Sequence, residues 1–267
     1  MAKTTFSIIG LFTIFLLSCN NDPKKEKEQT QNNTEETQLQ DMIAKYPDSF
    51  ALKVKLIDYY QVNESTDRAI NETKKMIEKD SANYHLWDLQ ANLFLDKKDT
   101  VNATHSLEKE ISLTPNPQNI RDLAYLYAQQ GNPSALDISD QLFNSPMANM
   151  QDQAVFIKGV YYSTTGDKLK AISFFDECLK MNYNNMLCYR EKAICLFDLE
   201  KYNDALQVLQ KAVTIKSDFD EAYYWMGRCY EKLGKKDEAI NNYQNALQLD
   251  SSYDEAKDAL TRLGVKQ

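Results

Sequence analysis

Five cysteines, two histidines and a series of arginines among aromatic residues have the clearest chemical potential in this 267-residue chain. His85 and His105 lack a cysteine or carboxylate at the spacing that metal binding or general-base work requires, so they read as exposed helical histidines. The chain carries no Gly-rich phosphate loop, no G-x-S-x-G elbow and no H-E-x-x-H pair. Serine and cysteine nucleophiles without a histidine partner are weak ones. These absences point to a protein that is not an enzyme and uses no cofactor or metal. The formal net charge of −8 makes phosphate-backbone binding a poor fit, so no nucleic acid is expected as partner.

The elements that must position these residues recur at a fixed period. The stretch YYWMGRCYEKLGKKDEAINNYQNAL from Tyr223 aligns without a gap to the one from Tyr189, and that one to the stretch from Val155, in steps of 34 residues. Within the last copy Tyr223, Met226, Gly227 and Tyr230 fall on one face of a first helix, and Ala239, Tyr243 and Ala246 on one face of a second. Gly234 lies between them, where a helix end favours the left-handed conformation. Small residues recur at Gly159, Ala193 and Gly227, and at Ala171, Ala205 and Ala239, where two helix backbones must approach closely. Neither helix buries its face alone, so the copies must stack. With only 7 Gly and 6 Pro an all-β sandwich or barrel is disfavoured. Cys195 and Cys229 share an offset in consecutive copies, which puts their backbones about 8–10 Å apart, beyond the ~7 Å reach of a disulfide. Cys178 and Cys188 flank an inter-repeat turn on antiparallel helices and could just meet; a disulfide and a pair of buried packing thiols are both open readings.

The pattern resembles the tetratricopeptide repeat (TPR) family, whose W, LG, Y, A, F, A and P positions are mostly matched in six copies, 50–83, 84–116, 117–151, 152–185, 186–219 and 220–253. The second copy carries Trp87, Ala91, Phe94, Ala103, Leu107 and Pro115 at the family offsets, the first Leu56, Tyr60, Ala69 and Met76. The third is irregular: its second helix follows Pro133, holds Ala135, Ser139 and Leu142 one place early, and is expected to stop at Pro146. Leu39, Met42 and Pro47 suggest an N-terminal cap helix within 38–49, and DEAKDALTRLG a C-terminal one within 254–267. The resemblance implies an all-α solenoid, a right-handed superhelix of helix–turn–helix repeats. Its first helices would line a groove at the second, fifth, ninth and twelfth offsets. Those offsets hold Phe156 and Val160, then Leu187, Arg190, Ile194 and Phe197, then Tyr224 and Arg228, an apolar and aromatic strip with two arginines. The same offsets in the first two copies hold mostly polar residues, among them Asp58, Gln61, His85, Asp88 and Asn92. The Lys and Asn pair with which some family members clamp a C-terminal carboxylate is absent, so an extended or helical segment of a protein or peptide partner, held by apolar anchors, is the expected ligand.

The fifth cysteine, Cys19, ends an N-terminal leader. The apolar run from Phe6 to Leu17 is about 12 residues, short of the roughly 20 needed to span a bilayer. Lys3 before it and Ser18 after it give the layout of a signal peptide over residues 1–18. Leu16, Leu17, Ser18 and Cys19 resemble the lipobox of bacterial lipoproteins, which implies cleavage before Cys19 and membrane attachment through its acyl chains. Residues 19–37 have almost no apolar side chain and are expected to be a disordered tether. Asp80-Ser81-Ala82 and Asp99-Thr100-Val101 resemble the short O-glycan acceptor motif of Bacteroidota, but three-residue matches arise by chance and ordinary turn residues are the favoured reading. Together these features suggest a lipid-anchored scaffold or adaptor of the cell envelope, more readily on the outer membrane, facing the periplasm or the cell surface. The alternatives are a pilotin-like or self-associating assembly factor and, less well supported, an envelope hydrolase.

Overall fold

The computed structural model describes residues 35–145 and 150–265, which form helices joined by short turns. The first helix, α1, covers 35–45. It is followed by α2 (Phe50–Val62), α3 (Thr66–Lys79), α4 (Tyr84–Asp96), α5 (Thr100–Leu113), α6 (Pro117–Gln129) and α7 (Ser134–Phe143). The remainder are α8 (Gln151–Thr164), α9 (Lys168–Met181), α10 (Met186–Asp198), α11 (Tyr202–Ile215), α12 (Asp220–Lys232), α13 (Lys236–Leu249) and α14 (Asp254–Arg262). Cys19, the leader, tether residues 19–34 and Pro146 lie outside the described residues.

The chain divides within α3, after Glu72, into two compact units. In the first, α1 is already helical at residue 35, so residues 35–37 are not part of a disordered tether. The physical reason is an ion pair: the Arg68 guanidinium reaches the Glu36 carboxylate and also donates to Tyr60 Oη at 3.0 Å. In the second unit, residues 73–265, each helix from α4 onward packs against the next in sequence, and first helices α6, α8, α10 and α12 pack on one another in turn.

Local chemistry explains the punctuation. Asp99, Asn116, Asp167 and Asn185 cap α5, α6, α9 and α10 by accepting backbone N–H bonds from the first turn. Each intra-repeat turn places one residue in the left-handed region, at Glu64, Lys98, Gly131, Gly166, Glu200 and Gly234. At Glu200 the following amide, Lys201 N, bonds back to Leu196 O at 2.9 Å, the closure that ends a helix sharply enough for its partner to fold back. The irregular third repeat has a second helix of only ten residues, α7, which nonetheless buries Ala135, Ser139 and Leu142.

In three of the hairpins a small residue on the first helix is matched by a larger one on the second. A Cβ on Gly159 of α8 would lie 2.5 Å from Phe175 of α9, and one on Gly227 of α12 would lie 2.7 Å from Tyr243 of α13. Where the large partner is Leu209 the small one is Ala193, both fully buried. Gly159→Ala is therefore expected to cost about 1–3 kcal/mol through overpacking. In a chemical-denaturation double-mutant cycle, Phe175→Leu should recover part of that loss, and strict additivity of the two changes would refute the steric pairing.

Candidate functional site

The predicted strip of groove residues divides into two clusters. Phe156, Leu187 and Arg190 line a cavity of about 440 Å³ between α6, α8 and α10, together with Arg121, Asp122, Tyr125 and Gln153. Val160 lines an adjoining cavity of about 280 Å³ that shares Tyr125 and adds Ser163, Thr164 and Glu191. Phe197, Tyr224 and Arg228 form a separate group, in which the Arg228 guanidinium lies 4.7 Å from the Phe197 ring and 4.5 Å from that of Trp225. Tyr224 stacks toward Tyr253 at 5.0 Å. Ile194 is half-buried and enters neither cavity wall.

Three of the expected anchors need correction. Phe156, Val160 and Phe197 are only 7%, 7% and 9% exposed, so they form floor rather than free surface. Neighbouring first helices approach closely enough for their rings to meet: Phe156 stacks on Tyr125 at 6.0 Å and Phe197 meets Trp225 edge-on at 5.5 Å, while Phe156 also tilts against Phe175 of its own second helix at 5.9 Å. Leu187, at 44%, is the apolar side chain that remains open.

The arginines are not free clamps either. Arg190 Nη1 donates to both carboxylate oxygens of Glu221, at 2.7 and 2.8 Å, and Nε donates to Glu191 at 3.0 Å. Arg121 Nε donates to Asp122 at 2.9 Å and Nη1 to Gln153 at 3.0 Å. Paired in this way, they brace adjacent first helices and supply a rigid polar rim.

Cys178 and Cys188 are joined in a disulfide with a Cα–Cα distance of 6.5 Å, which resolves the open reading of that pair. The bridge closes the turn between α9 and α10, and that turn supplies Asn182 and Asn185 to the cavity wall. Asn182 Nδ2 donates to Asp152 at 2.9 Å, and Asn185 caps the helix that bears Leu187 and Arg190. Cys195 and Cys229 are free and buried. Burial raises both thiols, Cys229 to about 12.

Two sets of residues went unread in the sequence. Arg121, Tyr125 and Gln153 stand at groove offsets; reading those offsets across the irregular third repeat would have found the first two, and the second offset of the fourth repeat would have found Gln153. The other is Glu110, 3% exposed, at the offset that holds Cys178, Ala212 and Ala246 in later repeats. Its Oε1 accepts from Asn119 Nδ2, and no donor among the described residues reaches Oε2. Burial and then the nearby Asp88 carboxylate push Glu110 up to about 7, with the Asn119 bond pulling the other way. A charge in a column of small residues was the available signal. A further cavity, about 620 Å³, lies between α9, α10 and α11 on another face of α10. It contains none of the predicted groove residues, and its Lys192 is paired with Asp176 at 2.6 Å.

By fold the protein is an all-α tetratricopeptide-repeat solenoid whose first helices carry a pocketed groove. The tetratricopeptide repeat family profile matches residues 220–253, a TPR repeat profile residues 196–234, and a profile for anaphase-promoting complex, cyclosome, subunit 3 residues 132–212. The structure is similar to a tetratricopeptide repeat protein from Parabacteroides merdae, with a TM-score of 0.69 and 15% identity over 90% of this chain and 95% of that one. It is also similar to PilW, a widely conserved type IV pilus biogenesis factor, with a TM-score of 0.57 and 16% identity over 79% of this chain and 97% of that one. At these identities the likeness is one of fold. In sequence, 101 residues are 33% identical to heat shock protein STI1 of Saccharomyces cerevisiae, covering 38% of this chain and 17% of that protein. The matches span 17% to 32% of the length of the first three such relatives.

Two outcomes are expected. A disulfide closing so short a loop stabilises by ~2–3 kcal/mol, so reductant should lower the unfolding free energy by that amount, and an unchanged denaturation midpoint would argue against the bridge. For Glu110 the native value lies above the ordinary 4.5, so its contribution to stability is complete below that value and is lost as pH rises through about 7. Glu110→Gln should thus match the parent near about pH 5 and exceed its stability by on the order of 1–3 kcal/mol near about pH 8, measured by denaturant titration at both values.

Proposed function

We propose that the protein is a non-catalytic scaffold, tethered to a membrane of the cell envelope through lipid on Cys19, that holds a segment of a protein partner in its first-helix groove. The observation that carries the binding reading is the pair of adjoining cavities around Tyr125, with an aromatic floor, an exposed Leu187 and a rim of braced ion pairs. Buried aromatic floors ringed by ordered polar groups suit an apolar anchor from a partner.

Placement in the envelope is supported by two independent features. The leader ending at Cys19 has the layout of a lipoprotein signal, and two or more acyl chains anchor stably where one does not. The Cys178–Cys188 bridge suits an oxidising compartment. An assembly role resembling that of the pilus factor has only a shared fold behind it.

A photo-reactive side chain at position 187 of the full chain, irradiated in intact cells, should capture one dominant protein. The same group at Leu169, which is 65% exposed on α9, should not capture it. Equal capture from both positions, or none from either, removes the groove reading. Separately, Cys19→Ala should move the chain from the membrane to the soluble fraction, and unchanged membrane association would remove the lipid anchor.

A further inference from the structure

The groove has an acidic counterpart to its apolar cavity. Glu110 extends from second helix α5 and is faced by Asp88 of α4 and by Asn119 and Asp122 of α6. Asp122 also lines the cavity floored by Phe156 and Tyr125, so the acidic and apolar subsites adjoin. Asp122 is matched by Arg121, which is turned toward it and toward Gln153, and Asp88 accepts only a side-chain amide bond from Asn92 at 3.2 Å. Glu110 is left with one oxygen bonded to Asn119 and the other with no donor among the described residues, although the residue is 97% buried.

A buried carboxylate oxygen without a donor is costly, and the position tolerates a small apolar residue in the later repeats. The arrangement calls for a cation brought from outside. A divalent metal is a poor candidate, because no group of three acidic, histidine or cysteine residues in the described chain could hold one. A long side chain ending in an ammonium or guanidinium needs only one or two carboxylates, and can arrive together with an apolar residue that enters the neighbouring cavity.

We propose that the groove reads its partner through a lysine or arginine seated at Glu110 and Asp88, next to an apolar residue placed over Tyr125 and Leu187. This rests on the groove reading above and adds the chemistry of the segment: a basic residue beside an aromatic or aliphatic one. Occupation by a cation would ionise Glu110, so binding strengthens as pH rises through about 7 and releases a proton on the acid side of that value. Asp88, Asp122 and Arg121 are the charged groups facing the site from α4 and α6.

The test is selection from a random displayed-peptide library on the full chain near about pH 8, repeated with Glu110→Ala. The expected result is a consensus with Lys or Arg beside an apolar residue, a tenfold or larger loss of affinity for Glu110→Ala, and weaker binding by the parent near about pH 6. Alanine at this position is compatible with the fold of the other repeats, and a thermal melt of the variant confirms that binding, not folding, has been changed. A consensus without a basic residue, or one whose basic preference survives Glu110→Ala, overturns this proposal and leaves the groove reading standing. No enrichment from any library overturns both.

Discussion

How closely the two helices of a repeat approach governs the rest of this solenoid. Gly159 under Phe175 and Gly227 under Tyr243 leave no space for a Cβ, while the smaller Leu209 is matched by Ala193. Close-packed interiors do not tolerate independent changes in such pairs, because volume added on one helix must be removed from the other. The contact sets the geometry of each hairpin. That geometry decides which residues of a first helix turn toward its own second helix, which meet the next repeat, and which remain for a ligand. The three left-handed turn residues that are not glycine, Glu64, Lys98 and Glu200, are held in place by packing rather than by local preference.

From this spacing follows the character of the groove. First helices lie near enough for Phe156 to stack on Tyr125 and for Arg190 to reach Glu221 on the next repeat. Aromatic groups sink into the floor and charges are satisfied internally, so the surface left open is narrower and more specific than a list of groove offsets suggests. The disulfide fixes the turn that delivers Asn182 and Asn185 to the same wall, adding covalent restraint where two repeats join. Among the described residues two buried polar atoms remain without a hydrogen-bond partner, Glu110 Oε2 and the Tyr189 hydroxyl, and only the first carries an ionisable carboxyl group.

Much of the architecture was legible because a period of 34 residues records the same packing problem solved repeatedly. The columns at Gly159, Ala193 and Gly227 and at Ala171, Ala205 and Ala239 mark close approach without reference to coordinates, since only small side chains fit there. The irregular helix after Pro133 was legible for a similar reason: Ala135, Ser139 and Leu142 keep helical spacing though shifted by one. The start of α1 was not, because composition alone describes residues 35–37 as a tether, and their order comes from Arg68, some thirty residues away in the chain. The exposure of Phe156, Val160 and Phe197 was misjudged because an offset places a residue on a helix face and carries no information about the distance to the next helix.

The sequence by itself therefore determined that the chain is helical, that it repeats, where its hairpins turn, and which face of each first helix is available. These depend on local periodicity and on residue size, which are written along the chain. Tertiary structure alone decided that Cys178 bonds Cys188, that Arg190 spends its charge on Glu221 of the next repeat, and that Glu110 is buried with an oxygen unmet. Each of these depends on distances of a few ångströms between residues of different helices. Bond formation, ion pairing and desolvation vary steeply over such distances, and no one-dimensional pattern specifies them.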